Sequence, residues 1–222
     1  MHRSSQLDSG PGRRPGKRVG ILGGSFNPAH AGHRHISVVA LRRLKLDEVW
    51  WMISPQNPLK AAADMAPLRK RLERARAVAN HLKIHVTDIE WYLGTHYTAD
   101  TVNALKLQFP GMRFVWLMGA DNLCQIPRWR HWRRIFESVP IAVFTRPSYS
   151  VKALSGRAAR RFAAYRLPES RASALSEAPV PAWIFLHTRP HSESATRIRA
   201  ECGEWASAGT KAETKKETNA QA

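Results

Sequence analysis

The most informative part of the sequence reads RVGILGGSFNPAHAGH and runs from Arg18 to His33. Its apolar run Val19–Leu22 is interrupted by one glycine and followed by two more, and a short apolar run of this kind is typical of a strand that is buried on both faces of a sheet. After the glycine-rich loop, apolar residues recur at helical spacing as far as Leu44, with arginines on the opposite side. The stretch therefore predicts a strand, a loop and a helix in direct succession.

The alternation of strand and helix continues along the chain. Short apolar runs predict further strands at 49–53, 84–86, 113–118, 141–145 and 183–187. Helical spacing predicts helices at 68–82, 98–109, 132–136 and 158–165, and another from Ser194 onward. Strands that alternate with helices form parallel sheets, so we expect an α/β fold with a doubly wound, Rossmann-like parallel sheet. One domain is expected over 18–205, with a flexible basic tail at 1–17 and a flexible C-terminal tail at 206–222.

Length and composition limit the class of protein. A chain of 222 residues, of which 43% are hydrophobic, can bury the core of one domain. No apolar run approaches the roughly 20 residues that a transmembrane helix needs, so we expect no membrane partner. The two cysteines, Cys124 and Cys202, lie far apart and in no ligand spacing, which predicts no zinc site and favours the reducing cytoplasm.

The formal net charge of +18 favours partners that carry phosphate. Nucleic acid is one such partner, because the run Arg128–Arg134 mixes arginines with Trp129 and Trp132, whose rings could stack on bases. The other interpretation of this run is a helix whose tryptophans face the core and whose arginines face water, and we prefer it. A nucleic-acid-binding protein is therefore kept as the rival hypothesis.

Two segments have the chemistry of a phosphate site. In the loop Gly23–Gly32, glycines let backbone amides approach a phosphate, and the helix that follows directs its positive N-terminus to the same place. His30 and His33 stand three residues apart, so both rings can face one phosphoryl group. The second segment, Ser194–Arg199, opens the last helix with two hydroxyl groups and an arginine, although it also fits a plain N-cap. The loop matches neither the dinucleotide fingerprint nor the P-loop, so a different nucleotide site is expected.

Together, the two segments resemble the nucleotidyltransferase superfamily of class I synthetase-like α/β folds, whose members carry a GxFxPxHxGH loop and a late SxTxxR helix. Over residues 18–204 the chain resembles the nicotinate-nucleotide adenylyltransferase family, because three further segments match in the right order. They are the loop Ser54–Lys60 after the second strand, the YTxxT sequence Tyr97–Thr101, and the GxDxL segment Met118–Leu123 with Trp129 and Trp132 behind it.

Three positions depart from the family pattern. Asn27 stands where many members have aspartate, Arg130 stands where an aromatic residue is common in some members, and Glu193 replaces the usual apolar residue before the serine. Such differences bear on how tightly the substrates are held.

The resemblance implies a direct reaction between two nucleotides in NAD synthesis. The phosphate of nicotinate mononucleotide attacks the α-phosphorus of ATP in line, and pyrophosphate leaves without a covalent enzyme intermediate. It implies catalytic roles for His33 on the α-phosphate, for His30 on an adjacent phosphate oxygen, and for Lys60 on the incoming phosphate or the triphosphate. Mg²⁺ is expected to arrive with ATP and to be held by phosphate and water, without a set of protein ligands.

The resemblance also assigns binding residues to each substrate. ATP contacts are assigned to Gly23, Gly24, Ser25, Phe26, His30, His33, Ser194, Thr196 and Arg199. Nicotinate mononucleotide contacts are assigned to Asn27, Lys60, Thr98, Gly119, Asp121 and Trp129. Among these, Trp129 is expected to stack on the pyridine ring, Thr98 to read the carboxylate, and Asp121 either to bind a ribose or to hold its own segment.

Some questions stay open at this level. The sequence leaves open the oligomeric state and the choice between nicotinate and nicotinamide mononucleotide, of which we expect the first. The nearest alternative function is that of another nucleotidylyltransferase of the superfamily, such as one that acts on phosphopantetheine, because both phosphate-binding motifs are shared.

Overall fold

A parallel β-sheet of seven strands runs through the computed structural model, which describes residues 16–55, 65–189, 193 and 195–201. The strands are β1 (Arg18–Gly24), β2 (Glu48–Ile53), β3 (Ile84–Thr87), β4 (Arg113–Gly119), β5 (Ile141–Phe144), β6 (Arg166–Leu167) and β7 (Trp183–Leu186). They lie in the order β3-β2-β1-β4-β5-β7-β6, and all neighbouring pairs are parallel. The chain builds outward from β1 to β3 and then crosses to β4 on the other side of β1. The predicted doubly wound parallel sheet is confirmed, with its switch point between β1 and β4.

Helices cover both faces of this sheet. The α-helices are α1 (Ala31–Arg43), α2 (Leu68–Ala79), α3 (Ile89–Leu93), α4 (Thr98–Gln108), α5 (Ala120–Gln125), α6 (Trp132–Ser138), α7 (Ser150–Leu154), α8 (Arg157–Arg161) and α9 (Ala195–Glu201). Short 3₁₀ helices span Ile126–Arg128, Ala163–Tyr165 and Glu169–Glu177. Buried residues of α1, α2 and the last 3₁₀ helix pack on one face, and those of α3 to α8 pack on the other.

The central strands alternate their side chains between two apolar layers. In β1, Val19 and Ile21 belong to the layer that contains α4 and α6, whereas Leu22 belongs to the layer that contains α1 and α2. In β2, Trp50 and Trp51 divide between the layers in the same way. Because both faces are covered, these strands are apolar at nearly every position, which is what made them visible in the sequence.

All six predicted strands are present, and the structure adds the two-residue edge strand β6. Two predicted helices differ. The helix predicted at 68–82 ends at Ala79, because Asn80 adopts a positive φ of 29°, and Leu82 beyond it is 97% exposed. The helix predicted at 158–165 is the short α8 followed by a 3₁₀ turn, and α3, α5 and α7 were not predicted.

The predicted domain boundaries remain predictions. Residues 1–15 and 202–222, which contain nearly all of the two predicted tails, lie outside the described residues, as do residues 56–64. Within the described ranges, no helix combines the length and the apolar character that crossing a bilayer requires.

Candidate active site

A cleft of about 1030 Å³ opens at the carboxyl end of the sheet. Segments that follow β1, β2, β3, β4, β5 and β7 line it. Parallel sheets bind ligands at this edge, beside the point where the strand order reverses, because the loops of the two neighbouring strands diverge there. The cleft is therefore the candidate active site.

His30 and His33 lie side by side in this cleft, at the start of α1. His30 is the N-cap of the helix, and its Nδ1 accepts a hydrogen bond of 3.1 Å from the backbone N–H of Gly32. The Nδ1 of His33 accepts one of 3.2 Å from the backbone N–H of His30, and the two ring centroids are 3.9 Å apart. A ring nitrogen that accepts from an amide carries no proton, so these bonds assign both rings to the neutral form with the proton on Nε2. The pair thus places two donors at one helix N-terminus.

Aromatic neighbours hold the ring of His33. The buried Phe26 has a left-handed backbone (φ 46°), and its ring centroid lies 4.6 Å from that of His33 and 5.2 Å from that of Trp51. Burial holds the pKa of His33 well below its ordinary value of 6.5, and the positive charge of the nearby Arg146 lowers it further. His33 is therefore neutral at neutral pH, in agreement with its hydrogen bond.

The buried Arg71 of α2 organises the floor behind the histidine pair. Its guanidinium donates to four backbone carbonyls, those of Ala66 (2.8 Å), Ser25 (2.8 Å), Ser54 (2.7 Å) and Pro55 (2.9 Å). Burial lowers the pKa of Arg71. These bonds tie the loop after β1 to the loop after β2.

The last helix is joined directly to the first loop. Glu193, two residues before α9, accepts a hydrogen bond of 2.9 Å through Oε2 from the backbone N–H of Ala31. The guanidinium of Arg199 donates to the backbone carbonyl of Asn27 and approaches the Thr196 hydroxyl at 3.4 Å. The two segments that resemble the superfamily motifs therefore share one wall of the cleft.

At the end of β4, the absence of a side chain on Gly119 leaves room for a charged pair. A Cβ on Gly119 would lie 2.3 Å from Oδ1 of Asp121 and 3.1 Å from Nε of Arg146. These two atoms are 3.5 Å apart, and neither they nor the indole nitrogen of Trp116 has a hydrogen-bond partner among the described residues. Buried polar atoms are normally hydrogen-bonded, so all three are groups that a bound nucleotide can satisfy.

The wall formed by the loops after β3 and β4 combines aromatic rings with a helix start. Tyr97 is the N-cap of α4, and Thr98 is the first residue of that helix. Trp129 is partly buried against the core and faces the cleft, and the guanidinium carbon of Arg130 lies 4.8 Å from the centroid of the Tyr97 ring. A planar apolar surface beside helix amides suits an aromatic ring that carries an anion.

A buried carboxyl group lies in the same region. Glu90 of α3 lines the cleft, and its Oε1 accepts a hydrogen bond of 3.2 Å from the hydroxyl of Thr101. Burial raises the pKa of Glu90, while hydrogen bonds from Thr101 and Ser54 and the nearby His96 oppose that rise. A buried carboxyl group thus contributes to the wall of the cleft beside α4.

The structure brings together all of the predicted site residues that it describes. Those that line the cleft are Gly23, Gly24, Ser25, Phe26, Asn27, His30, His33, Thr98, Gly119, Asp121, Trp129, Thr196 and Arg199. Lys60 and Ser194, which were also predicted, lie outside the described residues. The individual roles of these residues remain predictions.

Sequence reasoning missed four residues that shape the site: Arg71, Glu90, Trp116 and Arg146. The position of Arg146, two residues beyond the carboxyl end of β5, was a usable signal, because loops at that edge form ligand sites. Trp116, which the sequence suggests as a core or interface residue, is buried and also lines the cleft. Arg71 gave no signal, since it resembles the exposed arginines around it.

The basic and aromatic run 128–134 divides between two environments. Trp132 is buried while Arg133 and Arg134 are exposed, as the preferred interpretation predicted. Arg128 and Arg130, by contrast, line the cleft. Within the described part of the chain, no group of three or more His, Cys, Asp or Glu side chains is placed to hold a metal ion.

Comparisons with known sequences agree with this geometry. The sequence profile of the cytidylyltransferase-like family matches residues 21–201. A protein of Ruegeria pomeroyi is 49% identical over 198 residues, which cover 89% of this chain and 92% of the relative. A protein of Parvibaculum lavamentivorans is 51% identical over 191 residues, which cover 86% of this chain and 94% of the relative. Both bear the name "Probable nicotinate-nucleotide adenylyltransferase".

Among solved structures, the chain is similar to nicotinic acid mononucleotide adenylyltransferase of Plasmodium falciparum complexed with NaAD. The TM-score is 0.61, and the alignment covers 83% of each chain. At 18% sequence identity, this likeness shows a shared fold.

Proposed function

The chain belongs to the cytidylyltransferase-like family and, within it, to the nicotinate-nucleotide adenylyltransferases, and we propose that it transfers the AMP part of ATP to nicotinate mononucleotide. The products are nicotinate adenine dinucleotide and pyrophosphate, formed in NAD synthesis. One observation supports the proposal at the level of individual residues. The neutral histidine pair, the α9 segment and the wall around Tyr97 and Trp129 line one cleft, which therefore offers places for two nucleotides and their phosphates.

The proposed reaction needs no covalent bond to the protein. An oxygen of the nicotinate mononucleotide phosphate forms a bond to the α-phosphorus of ATP as the bond from that phosphorus to the bridging oxygen breaks, and pyrophosphate leaves with the electron pair. The attacking phosphate is already an anion at neutral pH, so the protein has to position it and stabilise charge. His33 and His30 would donate through Nε2–H to phosphate oxygens, and Thr196 and Arg199 would hold the leaving pyrophosphate.

The pyridine nucleotide is assigned to the wall formed by the loops after β3 and β4. Trp129 provides a partly buried face for the ring, and the first amides of α4, beginning at Thr98, have no partner within the helix and suit the carboxylate. Asp121 and Arg146, whose facing atoms lack hydrogen bonds within the described chain, would contact the ribose or phosphate of this substrate.

Mg²⁺ is proposed to come with ATP. The described residues include no cluster of carboxylates or histidines that would form a cage, which fits an ion held by phosphate oxygens and water. When bound, it would neutralise charge on the triphosphate. The cytoplasm is the proposed location, on the ground that two widely separated cysteines suit a reducing compartment.

The test is pyrophosphate release by the purified protein with ATP and Mg²⁺, with nicotinate mononucleotide, nicotinamide mononucleotide and phosphopantetheine compared side by side. We expect strong release with the nicotinate nucleotide. A preference for phosphopantetheine would keep the fold but replace the substrate. No release with any of them, together with steeply salt-dependent binding of DNA or RNA, would favour the nucleic-acid hypothesis instead.

A further inference from the structure

Arg130 is a cation at the mouth of the cleft that is oriented without a carboxylate partner. Its guanidinium carbon lies 4.8 Å from the centroid of the Tyr97 ring, within the range of a cation–π contact. Its Nε donates to the Nε2 of His131 at 3.3 Å, and no carboxylate among the described residues lies within ion-pair distance of it. Arg130 is exposed, but stacking on the Tyr97 ring limits the positions that its guanidinium can adopt.

Tyr97 and Trp129 define the position of the Arg130 guanidinium in the cleft. Tyr97 caps α4, so the cation stacks on the residue that immediately precedes the helix amides of Thr98. Trp129, the adjacent residue in the chain, supplies the partly buried ring face of the same wall. A group bound between Trp129 and the start of α4 therefore lies beside Arg130.

The two candidate pyridine nucleotides differ in one group. Nicotinate carries a carboxylate, whereas nicotinamide carries a neutral amide whose carbonyl oxygen can accept the same backbone hydrogen bonds. Helix amides alone therefore separate the two weakly, but a full positive charge favours only the acid.

We propose that Arg130 is a specificity-determining residue that favours nicotinate over nicotinamide mononucleotide by pairing with the pyridine carboxylate beside Tyr97. The proposal rests on the proposed function, since it assumes that the pyridine ring lies against Trp129. Some family members have an aromatic residue at the position of Arg130. On this proposal, the arginine provides a different means of recognising the pyridine carboxylate.

The experiment compares kcat/KM for the two nucleotides in the wild-type protein and in Arg130→Gln, Arg130→Lys and Arg133→Gln. Arg133 is a matched control, because it is also exposed and stacked on an aromatic ring, Trp132, but does not line the cleft. Arg130→Gln is expected to lower kcat/KM for nicotinate mononucleotide by about tenfold, mainly through KM, and to leave that for nicotinamide mononucleotide nearly unchanged. Arg130→Lys should keep most of the preference, and Arg133→Gln should keep all of it.

An unchanged ratio of the two kcat/KM values in Arg130→Gln would overturn the inference, as would an equal loss with both nucleotides. The wild-type protein tests the proposed function in the same experiment, because failure to use either pyridine nucleotide would remove that function whatever the variants do. If Arg130→Gln were poorly folded by circular dichroism, Arg130→Met, which keeps an unbranched stem and removes the charge, would be compared in its place, with the same outcomes supporting or overturning the inference.

Discussion

The carboxylate of Glu193 accepts a hydrogen bond of 2.9 Å from the backbone N–H of Ala31, the first residue of α1. The contact joins positions 162 residues apart in the sequence. It also places a negative charge at the helix N-terminus to which the ATP phosphates are assigned, where an anion is stabilised by the helix dipole. The Glu193 carboxylate and a bound phosphate of ATP are therefore both stabilised by the same helix N-terminus, and their negative charges repel each other there.

Replacing Glu193 by glutamine tests this repulsion. The Glu193→Gln variant keeps an acceptor for the Ala31 amide but removes the charge, so we expect KM for ATP to fall roughly threefold with kcat little changed. Steady-state kinetics with varied ATP will measure it. Glu177→Gln, the same change at an exposed residue outside the cleft, should leave KM unaltered. A higher KM in Glu193→Gln would mean that the charge helps to build the site.

Replacing His33 by alanine should remove most of the activity while the protein stays folded. His33 is assigned to the α-phosphate in the transition state, and loss of one such donor typically lowers kcat about 10²–10³-fold. The measurement is pyrophosphate release, with circular dichroism to verify folding. His81→Ala is a control at a histidine outside the cleft. Near-normal turnover in His33→Ala would show that the assignment is wrong.

Acidification should destabilise the wild-type protein more than the His33→Ala variant. The pKa of His33 in the folded protein lies well below 6.5, its ordinary value, so the unfolded chain binds a proton that the folded protein excludes. The contribution of this group is therefore fully favourable above pH 6.5 and is lost as pH falls below it. The difference in the free energy of unfolding between the two proteins should change by up to about 1.4 kcal/mol per pH unit in that range. Urea unfolding at a series of pH values will measure it, and parallel curves would contradict the expectation.

Replacing Trp129 by alanine should affect one substrate more than the other. Loss of the ring face is expected to raise KM for nicotinate mononucleotide by about tenfold while KM for ATP changes little. Kinetics with each substrate varied in turn will show this. Trp91→Ala, at a tryptophan that is 70% exposed and does not line the cleft, is the matched control. Equal damage to both KM values would count against a ring contact.

Replacing Arg71 by lysine should destabilise the protein although it keeps the charge. An ammonium group has three donors and no planar fork, so it leaves at least one of the four buried carbonyls without a partner, at a cost of about 1–3 kcal/mol in the free energy of unfolding. Urea unfolding will measure the loss. Arg69→Lys on the same helix, where the side chain is 92% exposed, should change stability by less than about 0.5 kcal/mol. Equal stability of the two variants would mean that the carbonyls find other partners.

The fold was predictable from the sequence because its strands are buried on both faces. Runs such as Val49–Ile53 stand out as continuous apolar segments, and the helices between them show one apolar side. The elements that were missed are short: α3 has five residues and β6 has two. Segments of this length are set by their tertiary contacts and leave no periodic pattern to detect.

The candidate site was predictable only where residues occur together in a motif. His30 and His33 were found because they are close in the sequence and precede a helix. Glu90 and Arg71 become recognisable only when folding buries them against Thr101 and a set of carbonyls, because burial depends on neighbours that are distant in the chain. The sequence shows that Glu193 departs from the family pattern, but only the structure shows that its carboxylate accepts a hydrogen bond from the N–H of Ala31.

The junction between the first loop and the last helix has a consequence for the nascent chain. Arg199 reaches the carbonyl of Asn27 across 172 positions, so one wall of the cleft is supplied by an element that a ribosome produces after all seven strands described above. A chain that has already assembled its sheet but still lacks this helix holds the histidine pair without the groups assigned to the leaving pyrophosphate. We therefore expect turnover to begin only when synthesis has passed this helix, so that chains released before it consume little ATP.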